Sequence, residues 1–352
     1  MADRVRLGVV GCGVIGPSHM KAAAAAPYLE LVAVADSIQE RAQQAAEKYG
    51  ARKVYTSAEE VIADPEIDAV VFAVAAADRT ESPLAALAAG KHILLEKPVA
   101  MSAAAVKRLL AAGRNRVMGC CSCRFQATES WRVAKEFLST GALGPLRNVH
   151  CRALVAGHKP PKGTPPDWRL SRARNGGGIL VNWGCYDLDY LLSMTGWSLR
   201  PKTVLAQTWQ VPPRFLSHVA PGSDAETHFA ALVRCEDGTI ITIERGEYAP
   251  ARTESCWQIV GTHGTLHLVM TPGDKLTLVH DDTDTEEGVI SRTLWEGGYD
   301  WQPLLDYPVQ DFARAILEGR PPATSLERAL VLQQLTDAIY ASAESGRAVD
   351  ID

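Results

Sequence analysis

The sequence predicts an α/β protein in two parts: an N-terminal doubly wound parallel sheet, then an α+β domain with an open, mostly antiparallel sheet. Three observations carry this. Short apolar runs alternate with helical stretches through the first third of the chain, and a glycine-rich turn separates the first run from its helix. Composition then changes near residue 120, with all eight tryptophans at or beyond Trp131. The parts are read as 1–123 and 124–352, the last helices returning to pack on the first.

Each element of the first part follows from its pattern. Val5–Val10 is a short apolar run, followed by glycines and an alanine-rich helix from about Gly16 to Ala26. Leu29–Ala35 is a second run ending in Asp36, followed by the helical stretch Ile38–Tyr49 and a stop at Gly50. Ala69–Val74 and His92–Leu95 repeat the pattern, with helices over Ser82–Ala89 and Ala103–Ala112. Such alternation implies a parallel sheet covered on both faces. In the second part the segments Leu146–Val155, Lys202–Val211, His228–Val233, Thr239–Arg245, Cys256–Val260 and Thr265–Val269 read as strands. Glu236-Asp237-Gly238 and Thr262-His263-Gly264 supply hairpin turns. Val309–Glu318 and Ser325–Ser342 return to helix, and the acidic run Asp281–Glu287 reads as a solvated loop.

A chain of 352 residues holds two domains at roughly 150 residues each. With 47% hydrophobic and 22% charged residues it is globular, not disordered. Lys plus Arg number 36 and Asp plus Glu 41, a net charge of -5 that gives no support for a nucleic-acid or anionic-membrane partner. No apolar run approaches the roughly 20 residues that span a bilayer, and the opening stretch is too short and glycine-punctuated for a signal sequence. Eight cysteines without regular spacing form no disulfide framework. A cytoplasmic protein with reduced thiols is expected.

Gly11-Cys12-Gly13-Val14-Ile15-Gly16 fits the pattern G-x-G-x-x-G after a strand and before a helix, with Asp36 about 20 residues on at the end of the next strand. The glycines permit a tight turn, close approach to a pyrophosphate and close helix–strand packing, while the helix N-terminus supplies donors and partial positive charge. The predicted ligand is a dinucleotide, contacted by Gly11, Gly13, Val14, Ile15, Gly16, Asp36, Ser37, Arg41, Val74, Glu96 and Lys97. Asp36 would accept hydrogen bonds from the ribose hydroxyls and repel a 2′-phosphate. An acid followed by Ser37 therefore favours NAD over NADP, with Arg41 the residue that opposes this preference.

The run His92–Pro98 ends a strand with Glu96 and Lys97, where ligands of open parallel sheets bind; the alternative is a surface salt bridge. Gly176-Gly177-Gly178 then introduces Leu180–Met194, apolar nearly all round and expected as a buried helix. Asn182, Tyr186, Asp189 and Ser193 form one polar stripe along it. Buried polar groups need partners, and the stripe reads equally as a substrate-facing row or an internal hydrogen-bond network. Trp168 and Arg169 close the proline-rich loop 157–169, which borders a polyol site or is a plain surface excursion. Arg124 is a further substrate-binding candidate. Cys120-Cys121-Ser122-Cys123 lacks a second pair at zinc spacing, and His263 and His267 lie around a hairpin, so no metal is expected.

Together these motifs closely resemble the Gfo/Idh/MocA family of dinucleotide-dependent oxidoreductases, which act mostly on sugars and cyclitols. The resemblance runs nearly end to end, from the glycine turn with His19, through Ala89-Gly90-Lys91-His92, Glu96-Lys97-Pro98 and the triple glycine, to Gly261–Leu266 and Ile339–Arg347. It implies an N-terminal Rossmann domain and a C-terminal domain whose open sheet often forms the oligomer interface, here of a homodimer or homotetramer. It also implies that Lys97 sits beside the nicotinamide and the reacting carbon.

The family usually follows the triple glycine with an Asp and, four residues later, a His that handles the proton. Here these are Asn182 and Tyr186, and members resembling glucose–fructose oxidoreductase carry Tyr at the second position. Asp189 matches a later family Asp, whereas Ala75–Arg79 lacks the usual Thr-Pro and His. The expected function is NAD-dependent hydride transfer at a secondary alcohol or ketone of a sugar, sugar derivative or cyclitol. Lys97, Tyr186 and Asn182 would be catalytic, and Arg124, Trp168, Arg169, Asn182, Tyr186 and Asp189 would bind substrate. Two alternatives use the same motifs: an NAD-requiring glycoside lyase or hydrolase working through a transient keto-sugar, and a non-catalytic NAD-binding regulator.

Overall fold

Strand β1 (Val5–Val10) is buried along nearly its whole length, as a strand covered by helices on both faces must be. The computed structural model describes residues 4–158, 160–163 and 165–351; Lys159 and Thr164 of the proline-rich loop lie outside them. The chain divides into two compact units, Met1–Arg124 with Trp301–Gln333, and Phe125–Asp300 with Gln334–Asp352.

In the first unit β1 is followed by α1 (Gly16–Ala25), β2 (Leu29–Ala35), α2 (Gln39–Tyr49), β3 (Lys53–Tyr55), α3 (Ala58–Ala63) and β4 (Ala69–Phe72). Then come α4 (Glu81–Ala88), β5 (His92–Leu95), α5 (Ala103–Ala112) and β6 (Met118–Cys120). The strands lie in the order β3-β2-β1-β4-β5-β6, every pair parallel. The order reverses between β1 and β4, and in open α/β sheets ligands bind outside the strands' carboxyl ends at that point. Local chemistry sets the helix ends. Ser57 and Glu60 form a capping box on α3, Ser102 caps α5, and Gly50 ends α2 at φ 78°.

The second unit carries α6 (Glu129–Ser139), β7 (Leu146–Ala156), the short α7 (Arg172–Asn175) and α8 (Cys185–Met194). Strands β8 (Pro201–Trp209), β9 (His228–Cys235), β10 (Ile240–Ala249), β11 (Glu254–Gly261) and β12 (Gly264–Leu268) follow. The chain continues through β13 (Gly273–Asp282) and β14 (Ile290–Tyr299) to α9 (Trp301–Glu318), α10 (Leu326–Ser345) and β15 (Val349–Asp350). The sheet order is β14-β13-β12-β11-β7-β10-β9-β8-β15. The β7–β10 pair is parallel and the others are antiparallel.

Two apolar layers sandwich the first sheet. Leu7, Val9, Val71 and Leu94 pack with Met20 and Ala23 of α1 and with Val309, Phe312 and Ala313 of α9. Val10, Val70, Phe72 and Ile93 pack on the other side with Val61, Val106, Leu326 and Ala329. The late helix α9 is thus part of the first unit's core, which explains why that unit is discontinuous in sequence.

Two expectations need correction. The acidic run does not begin in a loop: Asp281 and Asp282 end β13, and Asp281 accepts hydrogen bonds from His267 Nε2 (2.6 Å) and Ser291 Oγ (2.7 Å). Strands β13 and β14 are mostly half-exposed, with few buried residues, so their sequences lack the alternation that marks a strand with one buried face. The helix expected from Leu180 begins with a π-turn, Leu180–Gly184, and becomes α-helical at Cys185. A wider turn means that a spacing of four no longer stacks Asn182 directly under Tyr186. Among the described residues no helix is long and apolar enough to cross a membrane.

Candidate active site

The turn after β1 is built by three glycines with three separate constraints. Gly11 has φ +99°, and a Cβ on it would lie 2.5 Å from the Ala73 carbonyl oxygen. A Cβ on Gly16 would lie 2.0 Å from the Gly11 carbonyl oxygen, where α1 closes on the turn. A Cβ on Gly13 would meet no protein atom within 4 Å. Nothing inside the unit requires Gly13 to be glycine, whereas a pyrophosphate pressed on the backbone does. Pro17 sits in the first turn of α1, where its missing N–H costs nothing.

Asp36 closes this cradle: its carboxylate accepts hydrogen bonds from Cys12 N (2.9 Å) and Ile38 N (2.9 Å). Each oxygen retains lone-pair capacity for a ribose hydroxyl. Burial, reinforced by Asp36, pushes the Cys12 thiol up to about 12, so it stays protonated. Val74 is half-buried beside Gly11, Ile15 is half-buried, and Ser37 and Arg41 are exposed. Val14 is an apolar side chain 81% exposed at the rim of the turn. These residues fit a dinucleotide: backbone donors at a helix N-terminus, an acid at the end of β2 and free space over Gly13.

At the end of β5, Glu96 is buried and bonds His19 Nε2 at 2.9 Å and the Lys97 backbone N–H at 2.9 Å. The Arg124 guanidinium lies 3.5 Å from the same carboxylate, and Arg79, itself buried, donates to the Glu96 carbonyl. Burial opposes the carboxylate's charge, but His19, Arg124 and Lys97 outweigh it and hold Glu96 well below the usual carboxylate range. Glu96 is therefore an internal counter-ion to His19 and Arg124, not a surface salt bridge. Lys97 itself is half-buried. His19, Glu96 and Cys121 have ligand-type atoms within 4.8 Å of one another. Arg124 already balances Glu96, so a cation added there would face a buried guanidinium.

In the second unit the triple glycine has a steric cause. Gly176 ends α7 in the left-handed region at φ 81°. A Cβ on Gly177 would lie 1.8 Å from the Tyr340 hydroxyl, and one on Gly178 1.8 Å from the Glu226 carbonyl oxygen. This contact lets buried Glu226 reach the start of the following helix. Its carboxylate accepts from Gly178 N (3.0 Å), Leu180 N (3.0 Å) and Tyr340 Oη (2.9 Å), and its carbonyl accepts from Ile179 N. Burial pushes the Glu226 carboxyl upward against the pull of these donors. An acid at a helix N-terminus is favourable in charge as well as in hydrogen bonding.

The polar stripe divides among different partners. The Asn182 side chain donates to the Arg169 carbonyl (3.1 Å) and accepts from Asn175 (3.1 Å). The Tyr186 ring stands edge-on to Phe125 (5.5 Å) and Trp183 (5.8 Å) and is 4% exposed. Asp189 is fully buried and accepts from Gln126 (2.7 Å), and Ser193 accepts from Trp131 Nε1 (3.1 Å). The lower half of the stripe is thus an internal network. Arg169 makes a two-pronged ion pair with Glu247, at 2.8 and 2.6 Å, and Trp168 beside it is half-buried.

Sequence reasoning missed a second network behind the helix. Asp187, fully buried, accepts from Arg245 Nη1 (2.8 Å) and Trp257 Nε1 (2.9 Å), and the Arg245 guanidinium lies 4.7 Å from the centre of the Trp183 ring. Asp187, one residue from Tyr186 in an apolar run, was the available signal, because a buried acid demands a cation. Its partners on β10 and β11 carried none.

The family model for an oxidoreductase family with an NAD-binding Rossmann fold matches residues 5–118, and the GFO/IDH/MocA C-terminal domain model matches residues 131–267. The chain belongs to the Gfo/Idh/MocA family. Among Gfo/Idh/MocA relatives, the 1,5-anhydro-D-fructose reductase of Ensifer adhaerens is 31% identical over 53% of this chain and 55% of its own. The levoglucosan dehydrogenase of Pseudarthrobacter phenanthrenivorans is 24% identical over 99% of this chain and 98% of its own. The solved structure of GenD2 from gentamicin A biosynthesis, in complex with NAD, is 26% identical, covers 100% of this chain and 97% of its own, and superposes with TM-score 0.81. As a Gfo/Idh/MocA oxidoreductase, the chain uses its first unit as the NAD-binding Rossmann domain, which is what the Gly13 cradle and Asp36 fit.

Proposed function

We propose that this oxidoreductase transfers hydride between NAD and a secondary alcohol or ketone of a sugar, sugar derivative or cyclitol. The observation that carries the reading is the pairing of motifs in one Gfo/Idh/MocA chain: Lys97 just after β5, next to the buried Glu96 that its backbone N–H bonds, and Tyr186 at the helical position where relatives use His. When bound, NAD supplies the hydride acceptor or donor. Tyr186 takes the alcohol proton through its phenol oxygen, and the Lys97 ammonium stabilises the developing alkoxide. A phenol ordinarily titrates near pH 10, so oxidation should rise with pH.

Asn182 is a positioning residue, since its amide is engaged by Arg169 and Asn175. Trp168 and Arg169 face the rest of the polyol, and Asp189 acts from inside the helix through Gln126. The same reading places the protein in the cytoplasm as a homodimer or homotetramer. The half-exposed Leu205 and Leu232, opposite one another on β8 and β9, offer a surface for a second copy.

Tyr186→Phe tests the assignment against a panel including levoglucosan and myo-inositol, following NADH absorbance and product mass together. The ring and its aromatic contacts remain, so stability should fall by only about 1 kcal/mol. The rate should fall about a hundredfold to ten-thousandfold, and the rise of oxidation with pH should disappear. A modest loss with the alkaline limb intact would remove Tyr186 as the base. A changed product mass without NADH would support the lyase or hydrolase alternative.

A further inference from the structure

Strand β10 carries a bulge next to the residues just described. Its register against β7 runs evenly to Gly246 opposite Leu154, then resumes with Ala249 opposite Ala156, so β10 holds one extra residue. Tyr248 sits in this bulge with φ 55°, the left-handed region that L residues other than Asn, Asp and Gly rarely enter. Such a conformation costs on the order of 1–3 kcal/mol and persists only where surrounding structure imposes it.

The bulge has a definite product. In a regular strand neighbouring side chains point to opposite faces, yet Glu247 and Tyr248 both reach the Arg169 guanidinium. Glu247 takes its two N–H groups at 2.8 and 2.6 Å, and the Tyr248 phenol lies close enough to feel the guanidinium's charge. Behind Tyr248 the His218 ring packs edge-on at 5.6 Å, fixing the phenol's direction. The Arg169 carbonyl holds the Asn182 amide at 3.1 Å, which ties the cluster to the helix bearing Tyr186. The cluster is not sealed: the Arg169 side chain is 26% exposed and that of Glu247 11%.

A carboxylate, a guanidinium and a phenol together offer both acceptors and donors in fixed directions, which is what vicinal hydroxyl groups require. We infer that Glu247 and Tyr248, together with Arg169, are the specificity-determining residues that receive the polyol's hydroxyls away from the reacting carbon. This rests on the functional reading above, and it explains why a strained bulge is kept at this point of β10. Under that reading the β10 cluster decides which polyol the second unit holds.

The test uses the full-length enzyme and the panel polyol with the lowest KM, together with its monodeoxy analogues. Tyr248→Phe keeps the ring against His218 and removes only the hydroxyl, while Glu247→Gln keeps one acceptor. Both should raise KM about tenfold, leave kcat within about threefold, and leave the NAD Kd unchanged. One monodeoxy analogue, poor for the unmutated enzyme, should be discriminated about tenfold less by Tyr248→Phe. If KM and the deoxy penalties are unchanged while only the melting temperature falls, the cluster is a structural staple and the inference is overturned. A fall in kcat at constant KM overturns it as well. No turnover of the whole panel by the unmutated enzyme would instead sink the functional reading, so the two failures are distinguishable.

Discussion

Replacing Gly178 by alanine would place a methyl carbon 1.8 Å from the Glu226 carbonyl oxygen and 2.8 Å from its carbonyl carbon. These are backbone atoms, so no rotamer change relieves the clash; the two segments must part by roughly 1.5 Å to reach ordinary contact. That movement breaks the bonds from Gly178 N and Leu180 N to the Glu226 carboxylate and from Ile179 N to its carbonyl. A neutral hydrogen bond contributes about 1 kcal/mol and one to a charged group about 1.5–3 kcal/mol, so losing one of the first kind and two of the second should cost about 4–7 kcal/mol. For a unit of this size that is a melting shift of about 10–20 °C. Gly13→Ala is the matched control, because its Cβ meets no protein atom within 4 Å. It should leave the melting temperature unchanged or slightly higher and weaken NAD at least about tenfold, roughly 1.4 kcal/mol. Differential scanning calorimetry and NAD titration of both variants decide the matter. A Gly178→Ala melt within two or three degrees of the parent, or a Gly13→Ala variant that binds NAD normally, would refute the steric assignment.

Asp36→Ala should shrink the preference for NAD over NADP, measured calorimetrically; equal binding of the two cofactors by the unmutated protein would show that Arg41 swings in and overrides the acid. Glu96→Gln should destabilise the protein by about 3–5 kcal/mol at neutral pH, because it removes the buried negative charge that faces the buried Arg124 guanidinium. Glu96 is held below its unfolded value, so its contribution is present above about pH 4.3 and is lost as pH falls toward the folded value. The difference between parent and variant in urea melts should therefore narrow on acidification, and a gap of constant size from pH 7 to pH 3 would contradict the counter-ion role.

What the sequence by itself determined is what short-range chemistry encodes. The strand–helix alternation, the G-x-G-x-x-G turn with Asp36 about 20 residues on, and the Glu96-Lys97 strand end are each short local patterns, and a doubly wound parallel sheet follows from them. The position of the triple glycine and the polar residues behind it were legible for the same reason. Tertiary structure decided their partners. Glu226 reaches Gly178 across 48 positions, Arg245 reaches Asp187 across 58, and Glu247 reaches Arg169 across 78. No local pattern records a pairing between residues so far apart. The π-turn at Leu180 and the bulge at Tyr248 were hidden for a related reason: each departs from the regular period that makes a helix or strand readable. The stripe shows both sides. Periodicity placed Asn182, Tyr186, Asp189 and Ser193 on one helix, but only packing could send Asp189 to Gln126 and Ser193 to Trp131 while setting Tyr186 between two aromatic rings.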